Sequence, residues 1–323
     1  MPTTNNKVYD VLIIGGGPAG LSIATTIVRQ LQTAIVLDSG VYRNSRSEYM
    51  HGVPAFDHVD PVVFRTKAKG DILSRYDTVE FRKTRVTEIK KLDSGVFQAT
   101  DWQDNVFRGR KVALATGVKD IMPEIDGYDE CWGRGIFHCL FCHGYEERDG
   151  DSVGLLATGL FNSAAMISHV SGMALNLAKK LTIYTNGNDA IAADIEANAK
   201  IADFQTRVTV EKRKIKSLKM VALWEASDVV VTLEDGTEIN ETFLVSHPDV
   251  ELNGPFVAQL GLETGPQGEI KVNAPFNETS VHGVFAAGDV ASQIKVVPSA
   301  IYGGSMVGGG LVAQLLAEKA QAP

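Results

Sequence analysis

Two cysteines separated by two residues are the feature of this sequence best suited to chemistry. Cys139 and Cys142 can cycle between a dithiol and a disulfide, through attack of a thiolate on a disulfide sulfur. His138 and His143 flank the pair, and an imidazole titrates near neutral pH, so it can take a thiol proton and return it. The spacing therefore predicts a redox-active pair with Cys139, Cys142, His143 and His138 as catalytic residues.

Metal binding is the main chemical alternative for such a cysteine pair, and two buried, inert cysteines are the structural one. A zinc site needs a second ligand pair, but the chain has no second Cys-x-x-Cys and no His-x-x-x-His motif. The third cysteine, Cys131, is isolated and is expected to be inert. We therefore predict no metal site.

A glycine motif near the start of the chain predicts a dinucleotide site. Gly15, Gly17 and Gly20 form Gly-x-Gly-x-x-Gly after an apolar strand, Val8–Ile14, and before a helix. These glycines allow a tight turn, close approach of the backbone to a pyrophosphate, and packing of helix on strand. Asp38 closes the next strand, where a carboxylate can accept hydrogen bonds from ribose hydroxyls.

A second motif late in the chain identifies the expected dinucleotide. The strand and turn Gly283–Asp289 end in Gly288-Asp289 and resemble an element of flavoprotein disulfide reductases. The resemblance implies that this Asp binds the ribityl chain or pyrophosphate, and that the next helix, from about Ser299 to Ala317, stabilises charge on the reduced flavin. Together the two motifs predict FAD rather than NAD.

The elements that position these residues follow an α/β pattern with a weak internal repeat. The first unit continues with a helix carrying Ile23, Ile27 and Leu31 on one stripe and with the strand Thr33–Leu37; the second carries a helix over Asn162–Lys179. The other predicted strands are Val79–Phe81, Val86–Lys90, Val96–Thr100, Val106–Arg108, Val112–Ala115, Val153–Ala157, Leu181–Thr185, Val229–Leu233 and Thr237–Ile239.

This pattern predicts two Rossmann-like, three-layer ββα dinucleotide-binding domains. The first is discontinuous, over 1–120 and 247–323, and is expected to bind FAD. The second, over 121–246, carries the cysteine pair, and the resemblance to flavoprotein disulfide reductases implies that it is a degenerate NADPH-like domain.

Composition excludes several classes of partner. The chain has 31 Lys and Arg against 39 Asp and Glu, a net charge of −8, so nucleic acid is not an expected partner. No apolar run is expected to span a membrane, and the polar start, Met1 to Asp10, lacks the order of a signal peptide. The expected location is the cytoplasm.

The combined motifs resemble low-molecular-weight thioredoxin reductase over nearly the whole chain. The resemblance rests on the glycine motif, the Cys-x-x-Cys pair and Ala287-Gly288-Asp289. It implies that Cys142 faces the flavin, that Cys139 exchanges with substrate, and that the protein is a homodimer.

The resemblance also implies a set of flavin-contacting positions, with His51 at the flavin edge. The predicted cofactor-binding residues are Gly15, Gly17, Pro18, Ala19, Gly20, Asp38, Ser39, Arg43, His51, Val86, Ala115, Thr116, Gly117, Gly288, Asp289, Ser299 and Ala300.

Three departures from the thioredoxin reductase pattern bear on function. His143 replaces the usual Asp after the second cysteine, and Pro298-Ser299-Ala300 replaces Arg-Gln-Ala. The second unit has Gly159 but not the full nucleotide motif, and the stretch Thr185–Asp189 after its next strand contains no Arg. A 2′-phosphate would therefore lack its usual cation.

The departures are similar to those of fungal dithiol oxidases of epidithiodiketopiperazine biosynthesis. The match is carried by the stretches Phe137–Arg148, Asp38–Asn44 and Ala115–Ile121. It implies oxidation of a small-molecule dithiol to an intramolecular disulfide, with FAD as cofactor, O2 as acceptor and H2O2 as product. A thioredoxin reductase using NADPH or another donor, and a non-catalytic flavin-binding sensor, are the alternatives.

Overall fold

The computed structural model describes residues 4–222 and 226–321. The chain divides into two compact units: unit 1 comprises Met1–Lys119 and Glu251–Pro323, and unit 2 comprises Asp120–Val250. Of the polar start predicted over Met1 to Asp10, the first three residues lie outside the described part.

The first segment of the chain carries most of the unit 1 sheet. Its elements are β1 (Thr4–Ile14), α1 (Pro18–Val28), β2 (Ala34–Asp38), a 3₁₀ turn (Arg43–Arg46), α2 (Pro61–Arg75), β3 (Val79–Lys83), β4 (Val86–Lys91), β5 (Phe97–Asp101), β6 (Val106–Leu114) and β7 (Val118–Ile121).

The middle segment supplies unit 2 and the strand that leads out of it. Its elements are α3 (Tyr128–Cys131), β8 (Ile136–Phe137), β9 (Gly150–Gly159), α4 (Ala164–Leu177), β10 (Ala178–Tyr184), α5 (Asp189–Asn198), α6 (Phe204–Arg207), β11 (Val208–Glu211), β12 (Ile215–Met220), β13 (Val229–Leu233), β14 (Glu238–Glu241), β15 (Leu244–His247) and β16 (Asp249–Leu252).

The last segment completes unit 1. Its elements are α7 (Phe256–Leu260), β17 (Val284–Ala286), a 3₁₀ turn (Gly288–Val290) and α8 (Val297–Gln321).

The unit 1 sheet runs in the order β3-β2-β1-β6-β5-β4, and β17 also pairs with β6. β1, β2, β3, β6 and β17 are parallel, whereas β4 and β5 form an antiparallel meander with β6. One apolar cluster joins the sheet to α1 and α8, and a second covers its other face around Leu12, Phe97 and Phe256. The central strands are apolar on both faces because both faces are covered.

Unit 2 has a parallel sheet in the order β11-β10-β9-β15-β8 and an antiparallel sheet of β12, β13 and β14. α4 packs on the parallel sheet through Ile167, Val170 and Ala174. The carboxyl ends of β8, β9 and β15 lie on the same edge, which is where ligands of open α/β sheets bind.

Several sequence predictions need correction. Leu31 does not continue the α1 stripe: α1 ends at Val28, and Leu31 is 77% exposed with a left-handed φ of 58°. Val106–Arg108 and Val112–Ala115 are predicted as separate strands, but one strand, β6, runs through both and ends at Leu114, and its Gly109 packs closely against Leu12.

Among the described residues, α8 is the one helix long and apolar enough to cross a membrane by length and composition alone, with a mean hydropathy of 1.3 in its most apolar window. Its small and apolar residues Ala300, Gly304, Val307 and Leu311 are, however, buried, and the helix packs on α1. Packing within unit 1 therefore accounts for its composition.

Candidate active site

The glycine turn of unit 1 combines close packing with open space. The Gly15 N–H donates to the Leu37 carbonyl at 2.9 Å, and a Cβ on Gly15, which has φ 111°, would collide with the Ala115 carbonyl oxygen. A Cβ on Gly20 would collide with Gly15, but no heavy atom lies within 4 Å of that position on Gly17. Two glycines thus close the turn, and the third leaves room for a ligand.

Asp38 lies directly over this turn, because its carboxylate fills the space that a Cβ on Gly16 would need. The Tyr42 hydroxyl donates to Asp38 Oδ2, and the Gly40 N–H donates to Oδ1 at 3.0 Å. Burial raises the pKa of Tyr42, and the hydrogen bond to Asp38 raises it further, so the phenol stays protonated and donates. The Arg65 guanidinium stacks over the Tyr42 ring at 4.0 Å.

The late Gly-Asp motif meets the same turn. A Cβ on Gly288, which has φ 79°, would lie 3.0 Å from Ala19 Cβ and 3.7 Å from Ala300 Cβ. Asp289 forms an ion pair with Arg43, with Nη1 and Oδ2 3.3 Å apart and both side chains mostly buried. The structure therefore brings together predicted residues that are far apart in sequence.

The residues that follow β6 form a further side of this candidate site. Ala115 and Thr116 lie against Gly15, and Asn253 holds the loop by donating to the carbonyls of Thr116 and Gly117 at 3.0 and 3.1 Å. Thr116 Oγ1 is buried without a hydrogen-bond partner among the described residues. A buried hydroxyl in need of a partner and an open glycine backbone fit a bound dinucleotide.

The remaining predicted cofactor-binding residues lie in other surroundings within unit 1. Pro18 is the first residue of α1. His51 lies in the loop before α2, with a ring nitrogen 3.1 Å from one of His58. Val86 is buried in the second apolar cluster. Ser39 accepts a hydrogen bond from the Val41 N–H within its loop, whereas Ser299 lies at the start of α8 with its hydroxyl 3.3 Å from that of Ser292.

In unit 2, Cys139 and Cys142 form a disulfide with their Cα atoms 5.2 Å apart. The backbone N–H groups of Cys142 and His143 both donate to the Cys139 carbonyl at 3.1 Å, which closes a tight turn. Gly144 ends this turn with φ 102°, a conformation that favours glycine. Both cysteines are partly exposed, so a substrate thiol can reach them.

The flanking imidazoles stand on buried aromatic rings. His138 stacks on Trp132 with ring centroids 5.7 Å apart, and His143 stacks on Phe137 at 5.0 Å. Trp132 and Phe137 are both buried. The two histidines are therefore held in fixed environments on the elements that lead into the disulfide.

Cys131 differs from Cys139 and Cys142 in both exposure and bonding. It is fully buried in α3 without a disulfide partner. Burial raises the pKa of its thiol to about 11, so it stays protonated near neutral pH and is a poor nucleophile.

The nucleotide-type turn of unit 2 is filled by the chain's own groups. Phe161 is 3% exposed, and the Leu160 N–H donates to the His247 carbonyl at 3.0 Å. The first N–H of α4, on Ala164, donates to the Asp194 carboxylate at 2.9 Å. A carboxylate thus takes a donor that a phosphate uses in dinucleotide-binding turns.

A lysine corrects one inference made from the sequence. The stretch Thr185–Asp189 contains no cation, but the Lys214 side chain lies over Gly187, with its Cε 3.1 Å from where a Cβ would be. Nearby Arg213 is bound to Glu211 and Asp235. A positive group therefore reaches this turn from a distant part of the sequence.

Further residues that the sequence did not point to lie around these sites. They are Tyr42, Trp132, Phe161, Asp194, Lys214 and His247. His247 carried a usable signal, since it directly follows the apolar run Phe243–Val245 and Ser246 at the end of a strand. Lys214 and Asp194 reach the second turn from later in the sequence, through tertiary packing.

Comparisons with known proteins show which family the chain resembles. A family model described as pyridine nucleotide-disulphide oxidoreductase matches residues 9–304. Thioredoxin reductase tcpT of Claviceps purpurea is 42% identical over 98% of this chain and 97% of its own. Thioredoxin reductase aclD of Aspergillus oryzae is 43% identical over 95% and 96%. A solved oxidoreductase from Agrobacterium tumefaciens is 30% identical, with a TM-score of 0.82 over 96% of this chain and 99% of that one.

Proposed function

The chain belongs to the pyridine nucleotide-disulphide oxidoreductase family, and we propose that it is an FAD-dependent dithiol oxidase. The resemblance to thioredoxin reductase-like proteins is confirmed, and the protein is an oxidoreductase. The proposed substrate is a small natural-product dithiol of the epidithiodiketopiperazine type, which is closed to an intramolecular disulfide.

The FAD site is proposed around the glycine turn of unit 1. The open backbone at Gly17, the carboxylate of Asp38, the Arg43–Asp289 pair and the buried Thr116 hydroxyl support this assignment. The chemistry that FAD supplies when bound is the passage of an electron pair from the reduced cysteines to O2, giving H2O2.

The cysteine pair carries out the proposed thiol exchange. A substrate thiolate attacks Cys139 Sγ, the Cys139–Cys142 bond breaks, and Cys142 leaves as a thiolate. The second substrate thiolate attacks the substrate sulfur of the mixed disulfide, closes the product ring and releases the Cys139 thiolate. His143 or His138 accepts the proton of each thiol as it ionises. The substrate loses two electrons, and the protein disulfide gains them.

One observation carries this proposal: a disulfide flanked by two imidazoles lies in a unit whose nucleotide-type turn is filled by Phe161 and Asp194. The groups that thiol exchange needs are present, whereas in the turn that an NADPH phosphate would approach Phe161 is buried and the Asp194 carboxylate accepts from the Ala164 N–H. Such an arrangement favours electrons entering from a dithiol rather than from a nicotinamide.

The surroundings of the disulfide favour an apolar, small substrate. Phe141, between the two cysteines, is 80% exposed, and Tyr145 is 65% exposed. Large exposed apolar side chains are common at binding surfaces, where they cover apolar parts of a ligand.

The test is aerobic incubation with a reduced epidithiodiketopiperazine or with dithiothreitol, following H2O2 and product mass. Cys139→Ser and Cys142→Ser should each lower turnover by at least about 100-fold, because disulfide exchange needs both sulfurs. Cys131→Ala is the matched control and should keep turnover, since its thiol is buried and protonated. Full activity of either serine variant contradicts the mechanism.

A thioredoxin reductase is the second candidate, favoured by the names of the relatives and by Lys214 near the second turn. Anaerobic addition of NADPH separates the two. Rapid bleaching of the flavin supports the reductase, and an unchanged spectrum supports the oxidase. A homodimer in the cytoplasm is also proposed, and light scattering of the purified protein tests the dimer.

A further inference from the structure

We propose that His247 is a positioning residue of the dithiol site, which holds the His138 imidazole in the orientation that accepts a thiol proton. This inference rests on the proposed function and adds a third histidine to it. The nucleotide-type turn of unit 2, which no longer has the full nucleotide motif, is the element that holds His247 in place.

Neighbouring strands bring the two histidines together. β8 and β15 are parallel, with Ile136 opposite Leu244 and Phe137 opposite Val245. His138 directly follows β8, and His247 ends β15, so both lie at the carboxyl edge of the same sheet. Cys139 follows His138 in the chain, so this edge leads straight to the disulfide.

The His138 ring is held on two sides. Trp132 stacks on it with an interplanar angle of 28°, and His247 meets it at 78°, with ring centroids 5.9 Å apart. An edge-to-face contact combined with a stacked one restricts rotation of the imidazole. Proton transfer depends on the direction in which a ring nitrogen points, so this restriction affects the rate of proton transfer.

His247 is itself fixed. Its Nδ1 lies 3.1 Å from the Pro248 carbonyl oxygen, which can only accept, so Nδ1 carries the hydrogen and the neutral ring has its lone pair on Nε2. Phe161 packs against the ring at 5.8 Å, edge to face. The His247 carbonyl accepts from Leu160 and lies so close to Gly159 that a Cβ there would collide with it.

Other titratable groups border this cluster. Tyr128 stacks on Trp132 and donates to the hydroxyl of Ser246, next to His247. Burial raises the pKa of Tyr128, and the charge of Asp120 adds to this, so Tyr128 stays neutral. Two further sets of ionisable groups, His143 and the cysteine pair, lie on the same stretch of chain as His138.

A double-mutant cycle tests whether His247 acts through His138. With dithiothreitol as the dithiol, His138→Leu should lower kcat about 100-fold. His247→Leu should lower kcat about 10-fold, with KM changed much less, because loss of a positioning residue removes only part of the contribution of His138 to proton transfer. The double variant should be no slower than His138→Leu alone. His169→Leu, an exposed histidine on α4 of the same unit, is the matched control and should behave as the unsubstituted protein.

An alkylation assay that does not depend on the flavin tests the role of His247 separately from the proposed function. We expect the pH dependence of iodoacetamide alkylation of reduced Cys139 to shift in the same direction in His247→Leu as in His138→Leu, and to stay unchanged in His169→Leu. If the unsubstituted protein does not reduce O2 with dithiothreitol, the proposed function fails, while this alkylation comparison still decides the role of His247.

The variant His247→Asn distinguishes loss of the ring contact with His138 from a general loss of folding stability. The Asn side chain can still donate to the Pro248 carbonyl but offers no ring to His138. It should therefore keep the Tm of the unsubstituted protein and show the slow rate and shifted alkylation profile of His247→Leu. Additive losses in the cycle, or an Asn variant with normal rate and profile, overturn the proposal.

Discussion

At the scale of single residues, Glu241 is a carboxyl group in the core of unit 2. Its side chain is 0% exposed, and the Tyr184 hydroxyl donates to Oε1 at 2.6 Å. Burial raises the pKa of Glu241, because the charged form loses its hydration, although hydrogen bonds from Ser152 and Tyr184 partly offset this. Glu241 is remote in sequence from the cysteine motif, and nothing in the proposed reaction uses it.

The raised pKa predicts how Glu241 affects stability. Above the ordinary value of 4.5, the unfolded chain releases a proton that the folded protein retains, so stability falls as pH rises from 4.5 through the folded pKa. Glu241→Gln removes this loss and keeps an acceptor for Tyr184. We expect its free energy of unfolding to exceed that of the unsubstituted protein by about 1 kcal/mol near neutral pH, with the difference vanishing toward pH 4.5.

Urea denaturation at a series of pH values measures this effect. Glu234→Gln, at an exposed position of the neighbouring hairpin, is the matched control and should change little at any pH. A Glu241→Gln variant that is less stable throughout the range would mean that the protein needs the ionised carboxylate.

The sequence identifies candidate site residues more readily than it identifies the residues that surround them. Cys139, Cys142 and the glycines stand out as candidates because the motifs that they form depend on local spacing. Trp132 and Lys214 contact the sites through folds of the chain that no spacing rule encodes. The cation near Thr185–Asp189 was missed for this reason, since only tertiary structure brings it there.

At the scale of elements, the contact between α1 and α8 is built from small residues. A Cβ on Gly304 would collide with the Ala19 carbonyl oxygen, at the start of the glycine-turn helix. On the next face of α8, a Cβ on Gly309 would make an ordinary contact with Phe276 at 3.6 Å. The two glycines therefore allow a matched comparison in one helix.

Gly304→Ala should destabilise unit 1 by about 1–3 kcal/mol, because the backbone of Ala19 cannot move away as a flexible side chain would. It should also weaken retention of FAD, since the shift falls on the proposed site. Gly309→Ala should be neutral or stabilise by up to about 1 kcal/mol, through the better helix propensity of Ala. Thermal unfolding and the flavin content after gel filtration measure both effects, and equal behaviour of the two variants contradicts this account.

The predicted fold class is confirmed, but the predicted elements fail where tertiary packing overrides local pattern. Leu31 fits a helical stripe, yet the chain turns at Val28 to enter β2. β6 continues through Gly109. A glycine at this position suggests the end of a strand from the sequence, but in the structure it allows β6 to lie against Leu12. Period and propensity find long elements and misplace their ends.

At the scale of the whole molecule, unit 2 interrupts unit 1 at a closed junction. Lys119 and Glu251, the residues of unit 1 on either side of the interruption, form an ion pair of 3.2 Å. β7 and β16 pair with each other, and Asn253 binds the loop that ends β6. The chain therefore leaves and re-enters unit 1 at neighbouring points, so unit 1 does not need unit 2 to bring its ends together.

This junction predicts that the two proposed roles can be separated. Replacing 120–250 by a short glycine-serine linker should give a folded protein, because each unit has apolar clusters of its own. The shortened chain should be yellow and retain FAD, but it should not oxidise dithiothreitol, since it lacks Cys139 and Cys142.

Gly20→Leu in the shortened chain is the control and should lose the flavin, because a side chain there collides with the backbone of Gly15. Absorbance of the bound flavin, circular dichroism and H2O2 production measure the three properties. A shortened chain that folds with circular dichroism typical of α/β proteins yet takes up no FAD would show that the cofactor needs residues of unit 2, and would contradict the assignment of FAD to unit 1 alone.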